Sequence, residues 1–184
     1  MPLLKEKEYY TYADYLEWDE NYRAEIINGE VYEMSSPATI HQDISMNLSG
    51  ILWTYLKGKT CRAFAAPFDV RLFPEPDKSD NTVLQPDLMV ICDPSKIGKL
   101  SCNGAPDLVI EILSPSNTGK DLIIKFNLYL EAGVREYWVI DPETSLVKVN
   151  LFEKGHYNVS TYGRSDMVPV TVLPGLTIDL KTLF

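Results

Sequence analysis

The chain has 184 residues, of which 45% are apolar and 23% charged, with a formal net charge of −9 and a pI near 4.7. That length is enough for one domain with a real core, and no apolar run approaches a membrane span. The acidic balance excludes binding nucleic acid through a bulk positive field, so any contact with phosphate has to be local or assisted by a bound cation. The opening MPLLKEKEYY lacks the apolar segment of a secretory signal. Cys61, Cys92 and Cys102 are odd in number and show no CxxC spacing, which argues against a disulfide framework or a zinc knuckle and favours a reducing cytoplasm.

In chain order, Thr11 to Asp19 reads as a short helix, and YRAEIINGEVYEM as a hairpin turning at Asn28-Gly29. Pro37 suits the first turn of a helix, and Ile40, Ile44, Leu48, Ile51, Leu52 and Tyr55 continue at helical spacing until Lys57-Gly58. CRAFAAPFDVRLF reads as strand, bend, strand, followed by the polar loop PEPDKSDN. PDLMVIC is a short buried strand, Asp93 to Ala105 a loop, DLVIEIL the next strand and SPSNTG a turn. KDLIIKFNLYLEAG is a helix closed by Gly133, and REYWVID another buried strand. From Leu146 onward short strands alternate with turns at Glu153-Lys154-Gly155 and Pro174-Gly175. The order predicts one mixed α/β domain over 1–184, a sheet flanked by helices with an N-terminal hairpin and a β-rich C-terminal tail.

Glu111 sits between Ile110 and Ile112 in a strand that looks buried on both faces. An unpaired ionised carboxylate there costs several kcal/mol. It must therefore be paired with Lys or Arg, protonated, exposed at one face, or bound to a cation. Three Pro-Asp pairs supply candidate companions: Asp77, Asp87 and Asp107. Asp77 falls in the polar loop. Asp107 lies on the same strand, four residues from Glu111 and roughly 13 Å away. Asp87 opens the preceding strand. If the two strands pair antiparallel around a point near Lys99, Asp87 stands directly opposite Glu111, with Cβ atoms about 4.5–5.5 Å apart. Two ionised carboxylates at that separation repel, and a divalent cation removes the repulsion. Oxygen ligands completed by water suit Mg²⁺, with Mn²⁺ as a substitute. On the next helix Asp121, Lys125 and Tyr129 form one stripe beside an apolar face of Leu122, Phe126 and Leu130, so Lys125 either leans toward the carboxylates or makes a plain surface pair with Asp121.

QPDLMVI, IEIL and the helix after them resemble the PD-(D/E)XK, or restriction endonuclease-like, superfamily. PDLVIEILSPSN with Asp121, Lys125, Tyr129 and GVREYWVIDP resembles, more narrowly, a bacterial family of uncharacterised restriction-endonuclease-type proteins. That family also tends to open on a YELIDGE-like segment, matched by YRAEIINGE, and to carry a His after a Pro-containing turn, matched by His41. The likeness runs from about Tyr22 to Pro142. Leu113 stands where the ExK pattern has Lys, and the family places that Lys on the following helix, which implicates Lys125.

The resemblance implies Mg²⁺-dependent hydrolysis of phosphodiester bonds in nucleic acid, DNA above all. Asp87, Glu111 and the backbone carbonyl of Ile112 would hold the metal, and Lys125 would orient water or neutralise charge on the phosphate. Glu25 is a further acidic ligand or orienter, unless it simply pairs with Arg23 on its own strand. His41 contacts phosphate or orients water, or is merely half-exposed. Tyr129 holds the site through its hydroxyl. Ser114 and Ser116 flank Pro115 and read as turn chemistry. Arg62, Arg71, Lys96, Lys99, Lys120 and Arg135 are scattered sources of local phosphate contacts. Leu113 and the negative charge equally suit a domain of this fold that binds nucleic acid or a protein partner without cutting. An oligomer-forming role is a third reading, and homodimers are common among restriction-type nucleases.

Overall fold

The computed structural model describes residues 7–19, 21–114 and 119–184. In chain order the elements are α1 (Tyr12–Tyr15), β1 (Ala24–Ile27), β2 (Glu30–Glu33), α2 (Thr39–Leu56), β3 (Arg62–Ala65), β4 (Asp69–Arg71), β5 (Val83–Leu84), β6 (Leu88–Ile91), β7 (Ser101–Asn103), β8 (Leu108–Ile112), α3 (Gly119–Ala132), β9 (Glu136–Asp141), β10 (Leu146–Glu153), β11 (His156–Gly163), β12 (Met167–Pro169) and β13 (Thr177–Asp179). Among the described residues these strands form a six-stranded sheet ordered β11-β10-β9-β8-β6-β3, a five-stranded sheet ordered β2-β1-β5-β4-β7, and the β12-β13 pair. This is the mixed α/β architecture that the sequence predicts, with the helices flanking sheets.

Alternation along β6 and β8 divides the core. Leu88, Val90, Leu108, Ile110 and Ile112 face α2 and the C-terminal tail, where Ile44, Leu48, Leu52 and Leu56 form one buried helical row. Each such fully buried aliphatic side chain contributes about 1.5–3 kcal/mol. Ile40, predicted to continue that row, is instead 45% exposed, along with Met46 and Trp53 on the outer side of the helix. Met89, Ile91 and Val109 face the opposite way, toward α3 and the five-stranded sheet. Glu111 belongs to this second face by its spacing of two from Val109.

The antiparallel β6–β8 register pairs Leu88 with Ile110, Met89 with Val109 and Val90 with Leu108. Continued by one pair, it sets Asp87 opposite Glu111, the expected register. The connection is more than a hairpin loop, however. Between the two strands the chain makes a short 3-10 turn at Pro94–Lys96 and enters the other sheet as β7, parallel to β4. The parallel β8–β9 pair is bridged by α3, a βαβ unit that carries Lys125 back over the sheet.

Asn28 and Gly29 both take positive φ, at 52° and 86°, as a tight primed turn between β1 and β2 requires. The β-rich tail is part of the main core rather than an appendage. Val168, Val170, Val172, Leu176, Ile178 and Leu180 pack with the α2 row. Glu136, fully buried on β9, fixes the tail: its Oε1 accepts from Trp138 Nε1 at 2.7 Å and its Oε2 from the Val172 amide at 2.8 Å. Glu136→Ala strands two buried donors, and urea denaturation is expected to show a loss on the order of 2–4 kcal/mol.

Cys61 and Cys92 are joined by a disulfide bond. They follow directly from the Arg62–Ile91 pair of β3 and β6, so pairing across neighbouring strands brings them together. The odd cysteine count argues against a disulfide framework, yet one bridge forms. Parity excludes a fully paired framework but not one bridge with Cys102 left over, which is free and buried.

Candidate active site

The expected carboxylates converge on one cleft of about 250 Å³ between the two sheets, lined by Glu25, His41, Gln85, Asp87, Glu111 and Lys125 among others. Asp87 precedes β6, where its neighbour Pro86 cannot donate to a ladder and strand pairing begins late. Its Oδ2 accepts from the Ile112 amide at 2.7 Å, and its Oδ1 lies 3.1 Å from His41 Nε2. Because α2 starts at Thr39, His41 falls in its first turn, at the rim of the sheet.

Glu111 takes its partners from α3. Its Oε1 accepts from Lys125 Nζ at 3.0 Å and from the Tyr129 hydroxyl at 2.8 Å. No described donor reaches Oε2. Lys125 also donates to Glu25 Oε1 at 2.9 Å, an oxygen that accepts from the Gln85 amide at 2.9 Å as well. One ammonium thus joins the two sheets, through Glu25 on β1 and Glu111 on β8. Glu25, Glu111 and Lys125 are 5%, 8% and 8% exposed, so these are buried ion pairs.

One cation between two carboxylates leaves negative charge in excess. Burial is the largest influence on Glu111 and raises its pKa above the ordinary carboxylate range. Lys125 opposes the rise without cancelling it, and Glu25 and Asp87 add to it. Burial works against the charge on Lys125, but Glu111 and Glu25 outweigh it and hold the ammonium protonated. Tyr129, buried beside the same carboxylate, is pushed far above the usual phenol range, so it is a fixed donor. The hydrogen bond to Asp87 raises His41, with burial opposing it. Two buried polar atoms that line the cleft, His41 Nδ1 and Gln85 Oε1, have no partner among the described residues.

Several expectations change at this level of detail. The stripe of Lys125 and Tyr129 is the buried face of α3, together with Leu128, whereas Leu122, Phe126 and Leu130 are only half-buried. The helix therefore sits on its polar stripe, because two carboxylates below it satisfy the lysine and tyrosine. Glu25 makes no ion pair with Arg23 among the described residues; Arg23 is exposed at the cleft mouth. Ile112 offers its amide to Asp87. Of the scattered cations, Arg71 is buried on Asp80, Arg135 pairs with Asp107, and Lys96 donates to the Ala105 carbonyl. These three serve the fold. Asp107 also accepts from the Cys92 amide, and Asp77 caps Ser79 in an exposed turn, so neither belongs to the cleft. The Pro115–Ser116 turn lies outside the described residues.

Residues 12–181 match the Uma2 family, described as "Putative restriction endonuclease". The chain belongs to the Uma2 family. Its relatives include the uncharacterized protein slr1290 of Synechocystis sp. (strain ATCC 27184 / PCC 6803 / Kazusa), 27% identical over 93% of this chain and 89% of that protein. A second protein of that strain, sll1609, is 30% identical over 71% of this chain and 74% of its own length. The fold matches a crystal structure from Anabaena variabilis ATCC 29413, described as "a putative nuclease belonging to DUF820", with a TM-score of 0.77 and 24% identity over 95% of this chain and 97% of that one. The fold is restriction endonuclease-like, and membership of Uma2 makes the protein nuclease-like. No helix among the described residues is long and apolar enough to cross a membrane.

Proposed function

We propose that this protein is a divalent-cation-dependent endonuclease that hydrolyses phosphodiester bonds of DNA, the chain acting as one PD-(D/E)XK domain. The observation that carries the reading is the meeting of Asp87, Glu111 and Lys125 in one cleft, with no described donor at Glu111 Oε2. The donor set fits a hard cation: the oxygens are carboxylates from paired strands, and the carboxylates of the cleft outnumber Lys125. Among the described residues no three His, Cys, Asp or Glu side chains form a ready-made metal cage. Mg²⁺ does not need one, since it keeps several waters and binds through one or two carboxylates. Asp87 and Glu111, with the Ile112 carbonyl, would hold it. When bound, such a cation supplies polarisation of a phosphate oxygen and a lowered pKa for water.

The chain's own residues divide the remaining work. Lys125 keeps its proton and offers positive charge where the phosphate gains negative charge. Its place on a helix rather than at position 113 is no obstacle, because an ammonium acts through position. Tyr129 fixes the rotamer of Glu111, and His41 that of Asp87. Arg23 at the mouth presents a guanidinium suited to phosphate.

The test is nicking of supercoiled plasmid by purified protein with Mg²⁺ or Mn²⁺. We expect metal-dependent nicking that falls roughly 10²–10³-fold in Asp87→Ala and in Lys125→Ala. Folded protein that leaves double-stranded DNA, single-stranded DNA and RNA intact with either metal would overturn the enzyme reading. Leu113 in the ExK position favours a second reading, a domain of this fold that binds without cutting; DNA retention without nicking is its signature.

A further inference from the structure

Gln85 lies in the cleft beside the carboxylates and takes no part in the reading above. It follows β5 and immediately precedes Pro86-Asp87. Its side-chain nitrogen donates to the Tyr15 hydroxyl at 2.8 Å and to Asp69 Oδ1 at 2.8 Å. The Tyr15 hydroxyl gives its own proton to the same Asp69 oxygen at 2.9 Å. Both amide protons are therefore spent on acceptors. A flipped amide would set its oxygen against the Asp69 carboxylate, so that carboxylate favours the orientation seen here. Oε1 is left directed away from Asp69 and Tyr15. Gln85 lines the cleft, is 6% exposed, and Oε1 has no partner among the described residues.

Buried acceptors are almost always satisfied, and an exception calls for a donor or a cation. No described donor is hydrogen-bonded to this oxygen. Glu25 uses Oε1 for both of its donors, the Gln85 amide and Lys125, and no described donor reaches its Oε2. Glu25 on β1 is tied to the Gln85 backbone amide just past β5, and a carboxylate oxygen and an amide oxygen are the ligand types that hard divalent cations take.

We propose that Gln85 Oε1 is a neutral oxygen ligand for a divalent cation in this cleft, beside Glu25, with Asp69 and Tyr15 as the residues that hold the amide in its ligating orientation. The proposal rests on the cation-dependent reading of the site and adds a ligand from the second sheet. Asp69 is then a positioning residue: it does not line the cleft, yet it holds the amide in one orientation.

The experiment is Mn²⁺ titration of the full chain by calorimetry, with the Gln85 side-chain amide followed by NMR in ¹⁵N-labelled protein. Mn²⁺ is expected to broaden that amide in wild type. Gln85→Met and Gln85→Leu each remove the ligand oxygen at similar volume. Each is expected to weaken Mn²⁺ binding about 10–100-fold, the loss typical of altered metal surroundings. If neither variant folds, the wild-type amide decides: a Gln85 side-chain amide that stays sharp at saturating Mn²⁺ overturns the ligand. A folded variant that binds Mn²⁺ as tightly as wild type overturns the Gln85 ligand and leaves the Asp87–Glu111 reading standing. Wild-type protein that takes up no Mn²⁺ overturns both together.

Discussion

Lys125→Met is expected to lower the stability of the protein by about 3–5 kcal/mol at neutral pH, the usual cost of stranding a buried charge. Methionine has nearly the length of lysine and packs well, so little of that loss comes from a cavity. It comes from Glu25 and Glu111, which would face each other with no cation between them. Acid should repair the variant in part, because protonating the stranded carboxylates removes the repulsion. Urea denaturation at pH 5 and pH 8 reads both effects, and the gap to wild type should be wider at pH 8. A variant as stable as wild type at pH 8 would mean that the ammonium does not join the two sheets. Lys125→Arg, which keeps the charge, is expected to recover part of the stability and to show whether the cleft accepts a guanidinium.

The Lys125 bridge explains why the site was only half legible in the sequence. Asp87 and Glu111 could be matched because antiparallel pairing is local arithmetic once a turn centre is assumed, and β6 and β8 keep that register despite the excursion into β7. The helical spacing of Lys125 and Tyr129 was equally visible. Which face of α3 is buried was not, since hydropathy favours Leu122 and Phe126 over a lysine, and only the carboxylates beneath the helix reverse that choice. Glu25 lies on a different sheet from Glu111, and no periodicity within either strand reports how two sheets pack. Gln85 is not legible in the sequence for a related reason: its side-chain contacts are to Tyr15 and Asp69, which are distant in the chain. The one available signal was its place just ahead of the Pro-Asp pair. The five-stranded sheet was missed because β5 and β7 are two and three residues long, too short for alternation to show.

Glu111→Gln is expected to make the protein more stable above neutrality while abolishing the proposed phosphodiester hydrolysis. The folded state raises the pKa of Glu111, chiefly through burial, so between the ordinary carboxylate range and that raised value the folded chain holds a proton that the unfolded chain has released. Stability therefore falls as pH climbs through this window, and the penalty is fully present above it. His41 acts with the same sign. Its pKa is raised by the hydrogen bond to Asp87, so its contribution is complete below about pH 6.5 and is lost as pH rises through the folded value. Wild-type stability should thus decline from mildly acidic to mildly alkaline pH. Glutamine keeps an oxygen for Lys125 and Tyr129 but carries no charge, so the remaining Glu25–Lys125 pair is balanced. The variant should show a shallower decline, to which His41 still contributes. At pH 8 it should exceed wild type by on the order of 1–2 kcal/mol, a gain typical of relieving a destabilised functional site. Thermal or urea unfolding across pH 5–9 provides the comparison. If Glu111→Gln is less stable than wild type at pH 8, the carboxylate is already neutralised by Lys125, and the cleft has no surplus negative charge with which to attract a cation.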